Sequence, residues 1–348
     1  MPASSETNAS AVNVTVERLV YGGDGLAHID GRVVLMPYVL PGETAVVRPS
    51  DSKPHMLRAK LVRVETPNAA RVAPPCPYFG RCGGCQYQHA SYDYQLSQKV
   101  SILREVMQRI GKLEAPEQIE TLAGPEWNYR NRSQFHLSGG RIGYLQAGTH
   151  QLCPVDYCPI SSPRLNEALA GIRQMMKEPP FPQFIRSLEL FTNESEVQIN
   201  VLDTAKPVAR RFFEWCAERI RGYKEGPVDY TAAGESFRVS HRSFFQVNRF
   251  LVDSLVQAAI REERGDSAID LYAGVGLFSV PLARRFRQVT AVEASSSAVQ
   301  DLQFNTVRAG VQVHAVKQRA EEFLAAMHTA PDFVLADPPR AGLGKPVV

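Results

Sequence analysis

The spacing of apolar positions changes character along this chain. Between residues 11 and 65 short β-branched runs recur: VNVTV at 12–16, GRVVLMPYV at 31–39, ETAVVR at 43–48 and HMLRAKLVRVE at 55–65. Gly22-Gly23-Asp24-Gly25, Pro41-Gly42 and Pro54 punctuate them, which predicts short strands closing into a small barrel. The polar MPASSETNAS before them predicts a disordered tail over 1–10. Leu96, Val100, Leu103, Val106 and Ile110 then recur at helical spacing and predict a helix over 92–113, with Gly111 as its stop.

From about 125 to 235 the pattern is mixed. LELFTNESEVQINVL at 188–202 predicts a hairpin, and ARRFFEWCAERI at 209–220 an amphipathic helix. In the last third, predicted helices over 249–263, 297–309 and 320–328 alternate with AIDLY, QVTAVEAS, VQVHAVKQ and PDFVLAD. That alternation predicts a parallel α/β sheet. The expected fold class is α/β: a barrel over 11–68, a central α+β domain over 69–235, and a Rossmann-like domain over 236–348.

Composition narrows this picture. A chain of 348 residues with 44% hydrophobic content can bury cores for two or three domains. No apolar run approaches the ~18 residues of a membrane span, and the N-terminus has no apolar signal core. A cytoplasmic monomer without a membrane partner is expected. The net charge of +3 is no polycation, so any nucleic acid must be met by local patches.

Three of the six cysteines stand in CPYFGRCGGCQ, residues 76–86. Six are too few for a disulfide scaffold, and the trio reads as a metal or cluster site. The alternative is chance clustering of buried thiols, which Gly83 and Gly84 oppose because they make a poor core element.

AIDLYAGVGLFS carries the clearest ligand signal. A strand over 268–272 runs into Gly274 and Gly276 and then a helix, so the backbone can approach a ligand closely. A second strand ends in Glu293, 19 residues after Gly274, where an acidic side chain reaches ribose hydroxyls. A dinucleotide fingerprint would need a third glycine at the place Ser279 occupies, so S-adenosylmethionine is the better fit. A further strand ends in Asp337-Pro338-Pro339-Arg340, whose prolines could shape a slot for a flat heteroaromatic substrate.

With these motifs placed, the chain resembles the RumA/RlmD group of RNA (uracil-C5)-methyltransferases over nearly its whole length. Residues 11–65 resemble the group's RNA-binding TRAM barrel, and CPYFGRCGGCQ its iron–sulfur segment. EWNYRNR (126–132), SFFQVN (243–248), LYAGVGLFS, AVEAS and LADPPRAGLGKP resemble further motifs of the group. The resemblance implies a [4Fe–4S] cluster on four thiolates: Cys76, Cys82, Cys85 and a distant fourth. Cys153 and Cys158 both offer themselves. The group's ligand precedes a Pro/hydrophobic/Ser-Pro run, which selects Cys158. Zinc is the rival ion, though the Cys-x5-Cys gap is long for a zinc knuckle.

The resemblance also implies that Gln246, Tyr272, Glu293 and Asp337 line an S-adenosylmethionine site beside Gly274 and Gly276. Gln246 should meet the methionine end, Glu293 the ribose, and Asp337 the reacting centre. Phe244 should pack beside the cofactor or a flipped base, or else lie in the core. Arg130 and Arg132, flanking Asn131 next to Tyr129, are candidates for RNA contact, as are Arg48, Lys53, Arg58, Lys60 and Arg63.

The implied reaction adds a thiolate to uracil C6, lets C5 take the methyl group, removes the C5 proton with a general base and expels the thiolate by β-elimination. In the group both of those residues follow the DPPR segment, and this chain stops at Val348. Neither is then expected here, nor turnover by this stretch alone. Cys216, among Phe212, Phe213 and Trp215, reads as a core thiol. The expected substrate is 23S rRNA. The alternatives are the T-loop of tRNA, or RNA binding without catalysis by an iron–sulfur protein.

Overall fold

The β-branched runs near the N-terminus fold as β1 (Val12–Thr15), β2 (Arg18–Leu19), β3 (Gly25–Ile29), β4 (Arg32–Met36), β5 (Thr44–Lys53) and β6 (Met56–Thr66). The structure, a computed structural model, describes residues 10–53, 56–340, 342–344 and 347. All but the last residue of the predicted tail lies outside the described residues. The six strands form one sheet ordered β1-β5-β6-β4-β3-β2. Strand side chains alternate between faces, and the inward set (Val14, Val34, Met36, Val47, Leu57, Ala59) is one apolar core.

The described chain divides into two compact units. The first holds the chain through Ala123 together with Tyr144–Val155. Besides the six strands it contains α1 (Tyr92–Val106), which passes into a π-helical turn at Met107–Gly111. Lys112, with φ of 53°, ends the turn in the left-handed region. Arg18 Nε donates to Glu105 Oε1 at 2.9 Å and ties β2 to α1.

The second unit holds Gly124–Gly143 and the chain from Asp156 onward. Here β7 (Arg132–Ser138), β10 (Ile185–Thr192) and β11 (Val197–Thr204) build an antiparallel sheet, with β7 beside β10, and α2 (Pro163–Met175) precedes β10 in the chain. Strand β8 (Arg141–Leu145) pairs with β7 and runs on into the first unit, where β9 (Leu152–Pro154) follows. After α3 (Arg210–Arg219) comes a hairpin, β12 (Val228–Ala232) and β13 (Glu235–Val239).

The final stretch alternates as its pattern predicts. It contains α4 (Val252–Ile260), β14 (Gly265–Leu271), α5 (Ser279–Leu282), β15 (Phe286–Glu293), α6 (Ser296–Arg308), β16 (His314–Lys317), α7 (Ala320–Ala325) and β17 (Phe333–Ala336). The four strands are parallel, in the order β16-β15-β14-β17. The chain winds one way from β14 through β15 to β16, then returns to the other side of β14 at β17. That reversal opens a crevice at the carboxyl ends of β14 and β17, the position at which such sheets bind ligands. The helix expected after the glycines is a single turn.

Candidate functional site

Phe244, Phe245, Gln246, Tyr272, Ala273, Gly274, Val275, Leu277, Phe278 and Asp337 line one cleft at that crevice. Five residues singled out from the sequence, Phe244, Gln246, Tyr272, Gly274 and Asp337, are therefore neighbours. Gln246 Nε2 donates to Asp337 Oδ2 at 2.9 Å, across 91 residues of chain.

The glycine turn owes its shape to positive φ. Tyr272, Gly274 and Gly276 stand at 62°, 56° and 92°. A Cβ on Gly276 would stand 3.4 Å from Leu302 Cγ, whereas one on Gly274 would meet open space. Glu293 closes the turn from the next strand. Gly274 N donates to its Oε2 at 2.9 Å and Ser295 N to its Oε1 at 2.6 Å. Gly276 and Glu293 thus adjoin the cleft through Gly274.

Asp270, which no sequence motif singles out, lies beneath the turn. It is fully buried on β14 and accepts from Ser279 Oγ at 2.5 Å, while its Oδ1 is buried with no partner among the described residues. Burial pushes its carboxyl up to about 7; the Ser279 hydroxyl opposes that shift, and the Asp337 and Glu293 carboxylates add to it. A carboxylate inside the apolar run AIDL is the signal the sequence offers.

The SFFQVN segment separates its two phenylalanines cleanly. Phe245 is buried and packs 4.6 Å from the ring of Tyr230, while Phe244 is 57% exposed at the cleft. Asn131 holds this irregular segment. Its backbone N donates to Val247 O at 3.0 Å and its Nδ2 to Gln246 O at 3.0 Å. In the sequence Asn131 reads only as a spacer between two arginines.

Arg132, expected at a phosphate, is 7% exposed. Its guanidinium lies 4.3 Å from the Phe191 ring centroid, donates to Ser243 O at 2.9 Å, and stands 3.4 Å from Glu189. This placement makes it a brace for the segment, with no open face for a phosphate. Arg130 is half-buried. In the first unit Arg58 pairs with Asp24 and Arg63 with Glu65. Arg48 and Lys60 are exposed, face each other as partners across β5 and β6, and have no ion pair among the described residues. The Lys53 side chain lies outside the described residues.

Cys76, Cys82 and Cys85 are half-exposed on one turn-rich loop. Gly83 N donates to Leu145 O, and Gly84 N to Cys82 Sγ at 3.4 Å. Tyr38 feels both Cys82 and Cys85: burial raises its pKa, and those thiols add to the shift. Thiols alone make up this donor set, which suits a thiolate-bound cluster. Among the described residues no three His, Cys, Asp or Glu side chains stand together as a metal site. Cys153 and Cys158 are both buried, and Asn166 bonds both backbone groups of Cys158. Cys216 is fully buried and its thiol is pushed up to about 12, as a core thiol should be.

Comparison with known proteins bears on this geometry directly. Residues 6–62 match the TRAM domain and residues 231–348 match the tRNA (Uracil-5-)-methyltransferase family. The 23S rRNA (uracil(1939)-C(5))-methyltransferase RlmD of Pectobacterium atrosepticum is 32% identical, over 96% of this chain and 80% of the relative. This chain belongs to the RNA (uracil-C5)-methyltransferase family. An uncharacterized RNA methyltransferase of Aquifex aeolicus is 29% identical, over 95% of this methyltransferase and 84% of the relative. The Pyrococcus abyssi tRNA (uracil-54, C5)-methyltransferase, solved with S-adenosyl-L-homocysteine, shares the methyltransferase's fold. Its TM-score is 0.71 at 22% identity, covering 96% of this chain and 85% of that one.

Proposed function

We propose that this methyltransferase transfers a methyl group from S-adenosylmethionine to C5 of a uridine in 23S rRNA. The observation that carries the reading is the convergence of Gln246, Tyr272, Gly274 and Asp337 on one cleft with Phe244 exposed at it. The bound cofactor supplies an electrophilic methyl group. Gln246 and Asp337 offer an amide and a carboxylate to its amino-acid end and reacting centre, and Glu293 offers a carboxylate to its ribose. Phe244 presents a ring face on which a flipped uracil can stack. Asp337 stands in the wall beside it.

The RNA is gripped elsewhere by the TRAM sheet. Arg48 and Lys60 are its leading phosphate contacts, because among the described residues no carboxylate pairs with them. Arg130 is kept as a further RNA contact. Cys76, Cys82, Cys85 and Cys158 are the proposed ligands of a [4Fe–4S] cluster with a structural role. A cytoplasmic monomer fits this work; among the described residues no helix is long and apolar enough to cross a membrane.

The test is methylation of 23S rRNA and tRNA side by side by the full gene product with isotopically labelled S-adenosylmethionine, mapping the label to base and atom. Label on C5 of a 23S uridine supports the proposal. Label confined to tRNA moves the substrate to the T-loop. Label at another atom overturns the reaction.

A further inference from the structure

Segment 240–248 has no regular secondary structure, yet it carries Phe244 and Gln246. Buried backbone in such a segment must find its hydrogen bonds from other backbone, side chains or water. One face of α6 supplies several of the bonds that hold it. Asp301 is fully buried and accepts from Ser240 N at 2.7 Å, Ser240 Oγ at 2.6 Å and Ser243 Oγ at 2.7 Å. Arg238 Nε stands 3.2 Å from Asp301 Oδ1, within ion-pair distance though not aligned as a hydrogen bond.

Asn305 stands one turn further along the same face. It is 1% exposed, accepts from Arg238 N at 2.7 Å, and donates to Arg238 O at 3.1 Å and Val275 O at 2.9 Å. Val275 lies between the two glycines of the turn. Two side chains of one helix therefore hold both walls of the cleft: the wall that presents Phe244 and Gln246, and the glycine wall.

We infer that Asp301 and Asn305 are positioning residues that set the spacing between Gln246 and the glycine turn, and through it cofactor affinity. This rests on the reading of the cleft as an S-adenosylmethionine site. Neither residue touches the cleft. Their action runs through Ser243, which immediately precedes Phe244, and through the Val275 carbonyl. An error of about an ångström in such a wall can cost on the order of a hundredfold in the function it supports.

The experiment measures calorimetric affinity for S-adenosylhomocysteine in the unsubstituted protein, Asp301→Ala, Gln246→Ala, the double variant and Asp332→Ala. Asp332 accepts from Asp266 N and Ser267 N near the start of β14, far along that strand from the cleft, so its loss tests destabilisation alone. Asp301→Ala should weaken binding by about tenfold, but by less than about twofold once Gln246 is already gone. Asp332→Ala should lower the melting temperature and leave affinity unchanged. Asp301→Asn, which keeps one acceptor oxygen, should fall between and serves if the alanine variant does not fold.

Full additivity of the two losses overturns the inference, as does unchanged affinity in Asp301→Ala, or an equal loss in Asp332→Ala. If the unsubstituted protein takes up no S-adenosylhomocysteine, the cofactor reading itself falls, and the inference with it.

Discussion

Gln246 and Asp337 meet through one 2.9 Å hydrogen bond, although they belong to different walls of the cleft. The amide fixes one carboxylate oxygen of Asp337 and leaves the other available to a ligand. Removing either partner should have a different signature. Gln246→Ala should weaken cofactor binding by about tenfold, the scale of one lost hydrogen bond to a charged group. Asp337→Asn should lower turnover by about a hundredfold or more with a smaller change in affinity. Calorimetry on each variant, set beside single-turnover methylation by the full gene product, separates the two; matching losses in both readouts would contradict the division of roles.

Gly276 should not tolerate a side chain. At φ of 92° an alanine is strained, although its Cβ would only touch Leu302. Gly276→Ala should cost about 1–3 kcal/mol of stability, visible in chemical denaturation. Gly274→Ala, at φ of 56° and facing open space, should cost about 1 kcal/mol.

Asp270 should make stability depend on pH in an unusual direction. Its folded pKa of about 7 lies above its ordinary value of 3.8. The folded state therefore binds the proton more tightly, and the stability so gained is complete below the ordinary value. It drains away as pH rises through about 7. Asp270→Asn is neutral throughout and keeps the Ser279 bond, so its melting temperature should gain on the parent as pH rises from about 4 toward 7. A gap that does not change with pH would show that Asp270 is ionised in the folded protein.

On the TRAM sheet, Arg48→Ala and Lys60→Ala should each reduce the salt dependence of RNA binding. Removing one phosphate-binding charge should lower the slope of log affinity against log salt by about 0.7–0.9. Arg63→Ala should change the slope less, because Glu65 already neutralises that charge at 2.7 Å. Equal slopes for all three variants would place the RNA on another face.

The fourth cluster ligand can be decided chemically. Cys158→Ser should lose iron and acid-labile sulfide on anaerobic purification, as Cys82→Ser should. Cys153→Ser should keep about four irons per chain. The reverse pattern between Cys153 and Cys158 would assign the ligand to Cys153.

Much of this fold is legible in the chain itself. The β-branched runs and the strand–helix alternation mark β1, β4, β5, β6 and the parallel sheet, since burial on a pleated or helical surface imposes those periods. GLAHI, which becomes β3, carries little of that signal because glycine, alanine and histidine are weak strand formers. Helix α2 is absent from the predicted elements despite Ser162 as its cap and Pro163 at its first turn. At the site, motif residues are legible, while Asn131, Asp301 and Asn305 are not. Their partners are hydroxyls and backbone groups tens of residues away, and spacing along the chain does not encode such bonds. Arg132 reads alike whether buried or exposed; only the place of β7 beside β10, with Phe191 on that neighbour, puts it inside.

Glu293 already accepts one hydrogen bond on each carboxylate oxygen, from Gly274 N and Ser295 N. A carboxylate offers about four lone-pair sites, so about two stay open to hydroxyl donors. The acid is therefore held in place before any ligand arrives, by the same turn that will face it. Little ordering remains for the moment of capture, so cofactor entry should proceed in a single kinetic phase, its observed rate rising linearly with concentration and never reaching the plateau of a gating step.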